Sequence, residues 1–182
     1  MRAIDVRDLL ETPGSSRTVH VEEPVPGLRT ELADVPEDTP IAADLTLESV
    51  VEGIFVRGSL EGRFAMRCAR CLKTFERDFD VEMTELVPRE PGPDDDYALE
   101  PDLTLDPEPI VRDAVVLEMP FSPLCRPDCL GLCEICGGDR NLGECPGHEV
   151  TDPRWDALDT LLQRLEAHPD QEASDDDRTT TS

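Results

Sequence analysis

Residues 54–86 read IFVRGSLEGRFAMRCARCLKTFERDFDVEMTEL, and this stretch decides the fold. Ile54, Val56, Leu60, Phe64 and Met66 fall on even positions, whereas Phe75, Phe79, Val81 and Met83 fall on odd ones beyond Cys68 and Cys71. A period of two is that of a strand with one buried face. Two such runs on either side of a short polar turn predict an antiparallel pair with the cysteines at its tip. The Arg57-Gly58 step suggests a bend or bulge in the first run. Upstream, Leu45, Leu47 and Val50-Val51 extend the β region. Ile4-Asp5-Val6 and Val19-His20-Val21 predict short strands separated by the Pro13-Gly14 turn. Residues 31–42, with Pro36 and Pro40, read as a connecting loop. The expected fold class is α+β: an antiparallel β-sheet meander with a few helices and a C-terminal Cys-rich, zinc-knuckle-like segment.

Downstream the pattern changes. Residues 88–109 hold six prolines and eight acidic residues, among them Asp94-Asp95-Asp96. This composition predicts a flexible surface loop or linker. Ile110, Val111, Ala114, Val115 and Leu117 then take helical spacing, closed by Pro120. Asp152 and Pro153 offer an N-cap and a first helical residue. Trp155, Leu158, Leu161, Leu162 and Leu165 would line one face of that last helix. The expected organisation is a β-rich domain over 1–87, the acidic linker over 88–109, and a helix, metal segment and terminal helix over 110–168. An acidic tail, disordered by composition, would fill 169–182.

Composition bounds the function. No run approaches the roughly 18 apolar residues of a membrane helix, and the first residues carry acids where an export signal is apolar. The expected location is the cytoplasm, with no membrane partner. Thiols stay reduced there, so the seven cysteines read as metal ligands or redox groups and not as structural disulfides. A net charge of −25 disfavours binding phosphate backbones through the overall field and favours basic partners. No nucleophile elbow, phosphate-binding loop or metal-hydrolase motif appears, which predicts a non-enzymatic protein with no small-molecule substrate.

Five cysteines lie within residues 125–145, and Cys133-Glu-Ile-Cys136-Gly137-Gly138 has the form of a zinc knuckle. Zinc takes four soft or borderline donors in a tetrahedron. The simplest ligand set is Cys125, Cys129, Cys133 and Cys136. Cys145 is an alternative, and His148 a spare ligand. Cys68 and Cys71 form a second corner that could complete a two-knuckle ribbon with Cys133 and Cys136, or act alone in thiol–disulfide or metal-sensing chemistry. An iron–sulfur cluster fits the same cysteine count. Around this corner Arg57, Arg63, Arg67, Arg70, Lys73 and Arg77 face only Glu61 and Glu76 within residues 57–77. With Phe64 and Phe75 interleaved, this is a candidate RNA or partner contact through Arg63, Arg67, Arg70, Lys73 and Arg77.

Four blocks together resemble the YceD family, the large ribosomal RNA subunit accumulation proteins of bacteria and plastids. They are Cys68-Ala-Arg-Cys71-Leu72, the run from Leu105 to Pro120, the run from Pro123 through Cys136-Gly137 with Asn141-Leu142 after it, and Asp152 through Leu158. Their order and spacing match over roughly residues 40–165. Members often lack the C-terminal cysteines. The resemblance implies a role in accumulation of the large-subunit (23S) ribosomal RNA. Family genes commonly neighbour that of a small large-subunit ribosomal protein. The expected partners are a large-subunit ribosomal protein, the 23S ribosomal RNA precursor, or both, with zinc as the expected cofactor.

Overall fold

A computed structural model describes residues 1–148 and 153–167. Its centre is an antiparallel sheet. Strands β1 (Ile4–Asp5), β2 (Ser16–Glu23), β3 (Ala33–Asp34), β4 (Ile41–Ser49), β5 (Gly53–Arg67), β6 (Thr74–Pro88) and β7 (Thr104–Leu105) accompany helices α1 (Arg7–Glu11), α2 (Glu108–Glu118) and α3 (Asp156–Ala167). β5 and β6 pair along their full length, from Gly53 opposite Pro88 to Arg67 opposite Thr74. Fifteen residues at about 3.3 Å each make a ribbon of about 50 Å. β4 and then β3 pair with the other side of β5, and β2 pairs with β4.

The alternation sorts the two faces. Ile54, Val56, Leu60, Phe64 and Met66 of β5 lie with Phe79, Met83 and Val87 of β6 in one core. Ile41, Ala43, Leu45 and Leu47 of β4 join them. α2 covers this face with Ile110, Val111 and Val115, each nearly devoid of exposed surface, while Leu117 faces solvent. The opposite face carries Asp44, Glu61, Arg63, Asp78, Asp80 and Glu82, all exposed. The core therefore lies on one side of the sheet and solvent on the other.

Several expectations change. No bulge forms at Gly58, because its register runs unbroken from Leu45 on one side to Met83 on the other. Glycine stands there for a steric reason: a Cβ would lie 2.2 Å from the Asp44 carbonyl oxygen. Val50 and Val51 leave the strand, which ends at Ser49, and Val51 is 95% exposed in the turn. β1 pairs with β7, a hundred residues along the chain, while α1 fills the stretch between β1 and β2. Local periodicity carries no information about that pairing. The acidic stretch 88–109 is anchored by Leu99 and Leu105, both in the core, and Asp94, Asp95 and Asp96 stay exposed. Tyr97 donates a 2.8 Å hydrogen bond to Asp113.

Near the C-terminus a 3₁₀ turn over Pro153–Trp155 precedes α3. Trp155, Leu158, Leu161 and Leu162 are exposed. The expected N-cap Asp152 and the tail over 169–182 lie outside the described residues. Among the described residues, no helix is long and apolar enough to cross a membrane.

Candidate metal centres and charged surfaces

Residues 68–73 close the β5–β6 ribbon as a knuckle. The amide of Leu72 donates to the Cys68 carbonyl at 2.9 Å, and the amide of Cys68 donates to the Lys73 carbonyl at 2.9 Å. Leu72 adopts φ +60°, a left-handed conformation that β-carbon sterics disfavour. The C-terminal segment lies against this knuckle. Ala69 donates to the Pro123 carbonyl at 2.8 Å, Leu132 donates to the Arg70 carbonyl at 3.0 Å, and the Arg70 guanidinium donates to the Cys129 carbonyl at 2.8 Å.

These contacts assemble a group of four thiols: Cys68, Cys71, Cys125 and Cys129. Cys68 and Cys129 are fully buried, and Cys71 is 5% exposed. The Sγ atoms of Cys68 and Cys129 are 3.8 Å apart, and those of Cys71 and Cys125 are 3.6 Å apart. A disulfide needs about 2.05 Å. Tetrahedral zinc with bonds of about 2.3 Å separates its sulfurs by about 3.8 Å. Phe75 and Leu124 pack around the group.

A second group gathers Cys133, Cys136, Cys145 and His148, with all ligand atoms within 4.8 Å of one another. Its knuckle repeats the first, bond for bond. The amide of Gly137 donates to the Cys133 carbonyl at 2.8 Å, and the amide of Cys133 donates to the Gly138 carbonyl at 2.9 Å. Gly137, at φ +72°, occupies the place of Leu72. Here glycine supplies the left-handed residue at no steric cost. Each of the two groups could hold a metal ion.

The structure therefore divides the ligand set expected from spacing. Cys125 and Cys129 meet Cys68 and Cys71, while Cys133 and Cys136 meet Cys145 and His148. Neither the set Cys125, Cys129, Cys133 and Cys136 nor a ribbon of Cys68, Cys71, Cys133 and Cys136 comes together. The cause lies between the groups, where Leu132 is bonded to Arg70 of the tip and keeps Cys129 and Cys133 in separate clusters.

Electrostatics in both groups follow from crowding. Burial pushes the Cys68 thiol up, but amides of Cys125, Cys71 and Arg70 aimed at its sulfur outweigh this and bring it down to about 6. Burial, then the neighbouring Cys71, Cys129 and Cys68 sulfurs, push Cys125 up to about 12. In the outer group the amides of Cys136 and Ile135 lower Cys133 to about 7. An amide of Gly147 lowers Cys145, but Cys133 and burial outweigh it and leave it raised. One thiolate forms easily in each group and opposes the next. A divalent cation removes that opposition.

Asp139 and Asn141, which spacing of cysteines does not reveal as a pair, join the two groups. Asp139 is 6% exposed. It accepts from the Asn141 amide and side chain, and it pairs with Lys73 at 2.9 Å. The Lys73 hydrogen bond holds its carboxyl at about 2, below the usual range. Asn141 accepts from Leu130 N at 2.8 Å and Arg126 at 2.7 Å, and its side-chain amide lies 3.6 Å from Cys129 Sγ. Asn141 stood in the sequence as part of the family-like block after Gly137, whereas Asp139 carried no signal beyond being a polar residue in a glycine-rich turn.

Four of the five cations singled out as contacts near the tip are engaged within the fold. Arg63 pairs with Asp78 and Glu76 across the ribbon at 2.7 and 3.4 Å. Arg70 and Lys73 hold the C-terminal segment. Arg77 lies over the Phe75 ring and donates to the Leu124 carbonyl. Arg67 is exposed at the end of β5. Phe64 is buried against Phe79 with ring centroids 4.3 Å apart.

The family model described as "Large ribosomal RNA subunit accumulation protein YceD" matches residues 56–162. Uncharacterized proteins of Mycobacterium bovis and Mycobacterium tuberculosis are 37% identical over 168 residues, covering 87% of this chain and 80% of theirs. A Mycobacterium leprae protein is 31% identical over 167 residues, covering 87% of this chain and 76% of its own. No solved structure matches.

Proposed function

The chain belongs to the YceD family of large ribosomal RNA subunit accumulation proteins, and from that membership we propose that it is a non-enzymatic ribosome biogenesis factor that sustains 23S ribosomal RNA by binding a basic large-subunit ribosomal protein. The observation that carries this reading is the open face of the sheet. β6 presents Glu76, Asp78, Asp80 and Glu82 on that one face, with Glu61 and Asp44 beside them. This face stays net acidic with Arg63 paired to Asp78 and Glu76, and in a chain of net charge −25 it attracts a basic protein and repels phosphate. The work would take place in the cytoplasm, where ribosomes assemble. Zinc held by Cys68, Cys71, Cys125 and Cys129 would fasten the C-terminal segment to the hairpin tip. Four thiolate donors at these separations suit zinc. Burial of Cys68 and Cys129 disfavours thiol–disulfide exchange, which needs an accessible sulfur.

Reversing Asp80 and Glu82 to lysine tests the reading, because both are exposed and stand outside the Arg63 ion pairs. Binding of the large-subunit ribosomal protein should weaken at least tenfold, more at low salt than at high. Large-subunit RNA should fall in cells carrying the variant. Unchanged binding, together with RNA binding abolished by Arg67→Glu, would move the contact surface to the hairpin tip.

A further inference from the structure

The outer group of Cys133, Cys136, Cys145 and His148 takes no part in fastening the segment to the tip. We propose that it is a second, independent zinc site with three sulfur donors and one nitrogen, and that its ion is the exchangeable one of the two. This goes beyond the function proposed above and does not depend on it.

The first ground is backbone geometry. Cys133–Gly138 reproduces both hydrogen bonds and the left-handed residue of the Cys68–Lys73 knuckle, 65 residues away in the chain. The second pair, Cys145-Pro146-Gly147-His148, repeats the same three-residue spacing with imidazole in place of the last thiol. The knuckle and this second pair bring four soft or borderline donors within 4.8 Å, the donor set of a closed zinc site.

The second ground is what else could order this lobe. Leu130, Ile135 and Leu142 are 58%, 57% and 65% exposed. Between residues 133 and 148 the buried residue is Asp139, a carboxylate. A lobe that buries so little apolar surface does not offset the entropy of fixing its chain. Metal coordination supplies that ordering in small Cys-rich modules.

The third ground separates the two ions. Cys68, Cys71 and Cys129 are buried beneath Phe75 and Leu124. Cys136 and His148 are exposed, and the outer group opens on a cleft of about 480 Å³ lined by Cys133, Ile135, Cys145 and His148 among others. A chelator can reach the outer donors without the sheet or the tip moving. It can reach the inner ones only after the segment lifts off.

The experiment counts zinc on the full chain, reconstituted with zinc under reductant, by elemental analysis and native mass spectrometry. Two ions per chain are expected. A colorimetric chelator should remove one at least tenfold faster than the other. Cys145→Ser and His148→Ala should each keep only the slow ion, whereas His148→Cys should keep both. Cobalt substitution of His148→Cys should shift the visible d–d bands from those of a site with three sulfurs and one nitrogen towards those of a site with four sulfurs. One ion per wild-type chain overturns the proposal, as do two retained ions in both Cys145→Ser and His148→Ala. Equal chelation rates overturn the assignment of the exchangeable ion. Each of these readings leaves the ribosomal-protein proposal standing, because none measures that binding.

Discussion

The two knuckles share a backbone and differ in their surroundings. The tip knuckle sits at the end of a 15-residue strand pair and brings its cysteines into a buried group. The outer knuckle has the same turn, yet behind it stands a single antiparallel bridge, Leu132 with Asp139, in place of a long strand pair, and three of its apolar neighbours are exposed. A knuckle therefore specifies where two sulfurs stand relative to each other. The packing around it specifies whether those sulfurs are structural anchors or an accessible site.

The largest effect should follow loss of the inner group. Cys129→Ser should remove its ion, and because structural zinc supplies on the order of 10 kcal/mol to small modules, residues 123–148 should detach from the tip. Amide exchange at Ala69 and Leu132 would report this. Protection retained at both amides would mean that hydrogen bonds alone hold the segment. Leu60→Ala should cost about 2–5 kcal/mol in denaturant unfolding, through a cavity in the sheet core, while leaving metal content unchanged. A coupled loss of metal would show that the tip and the core unfold as one unit.

Asn141→Ala probes the joint between the two groups. It removes the acceptor of the Leu130 amide and one of the two partners of Arg126, both solvent-exposed, and should cost about 0.5–1.5 kcal/mol. The loss should appear as faster zinc release from the inner group. Arg70→Glu and Arg67→Glu sharpen the contrast further. Arg70 donates to the Cys129 carbonyl, so its reversal should loosen the segment. Arg67 is exposed on the open face, so its reversal should change stability by less than about 0.5 kcal/mol. Equal destabilisation by the two would show that net charge at the tip, and not the specific contact, governs docking. Cys136→Ser should have the smallest effect on unfolding of the sheet, again below about 0.5 kcal/mol, although the outer ion is lost.

Much of the fold was legible. The even-to-odd switch across Cys68 and Cys71 marks a hairpin, and the structure pairs Ile54 with Val87 and Met66 with Phe75 as that switch requires. Ile110, Val111 and Val115 mark α2 and its buried face. The pairing of β1 with β7 was not legible, because two-residue strands carry no period. The positive strip over residues 57–77 is redistributed by strand pairing. A strand pair sets Arg63 opposite Asp78, so charge counted along the chain differs from charge presented on a surface.

Three properties could be read from the chain before any folding: that it makes an antiparallel sheet, that Cys68–Cys71 and Cys133–Cys136 form two similar corners, and which family it joins. They follow from local spacing and from the order of motifs. Which pair meets which was settled by docking in three dimensions. Cys125 and Cys129 lie closer in sequence to Cys133 than to Cys68, yet they join Cys68 and Cys71. Tetrahedral donors must converge in space, and convergence here depends on Ala69 and Arg70 exchanging backbone hydrogen bonds with Pro123 and Leu132, across a gap of more than fifty residues. Sequence spacing constrains the geometry within a turn, but it does not say against which surface that turn will dock.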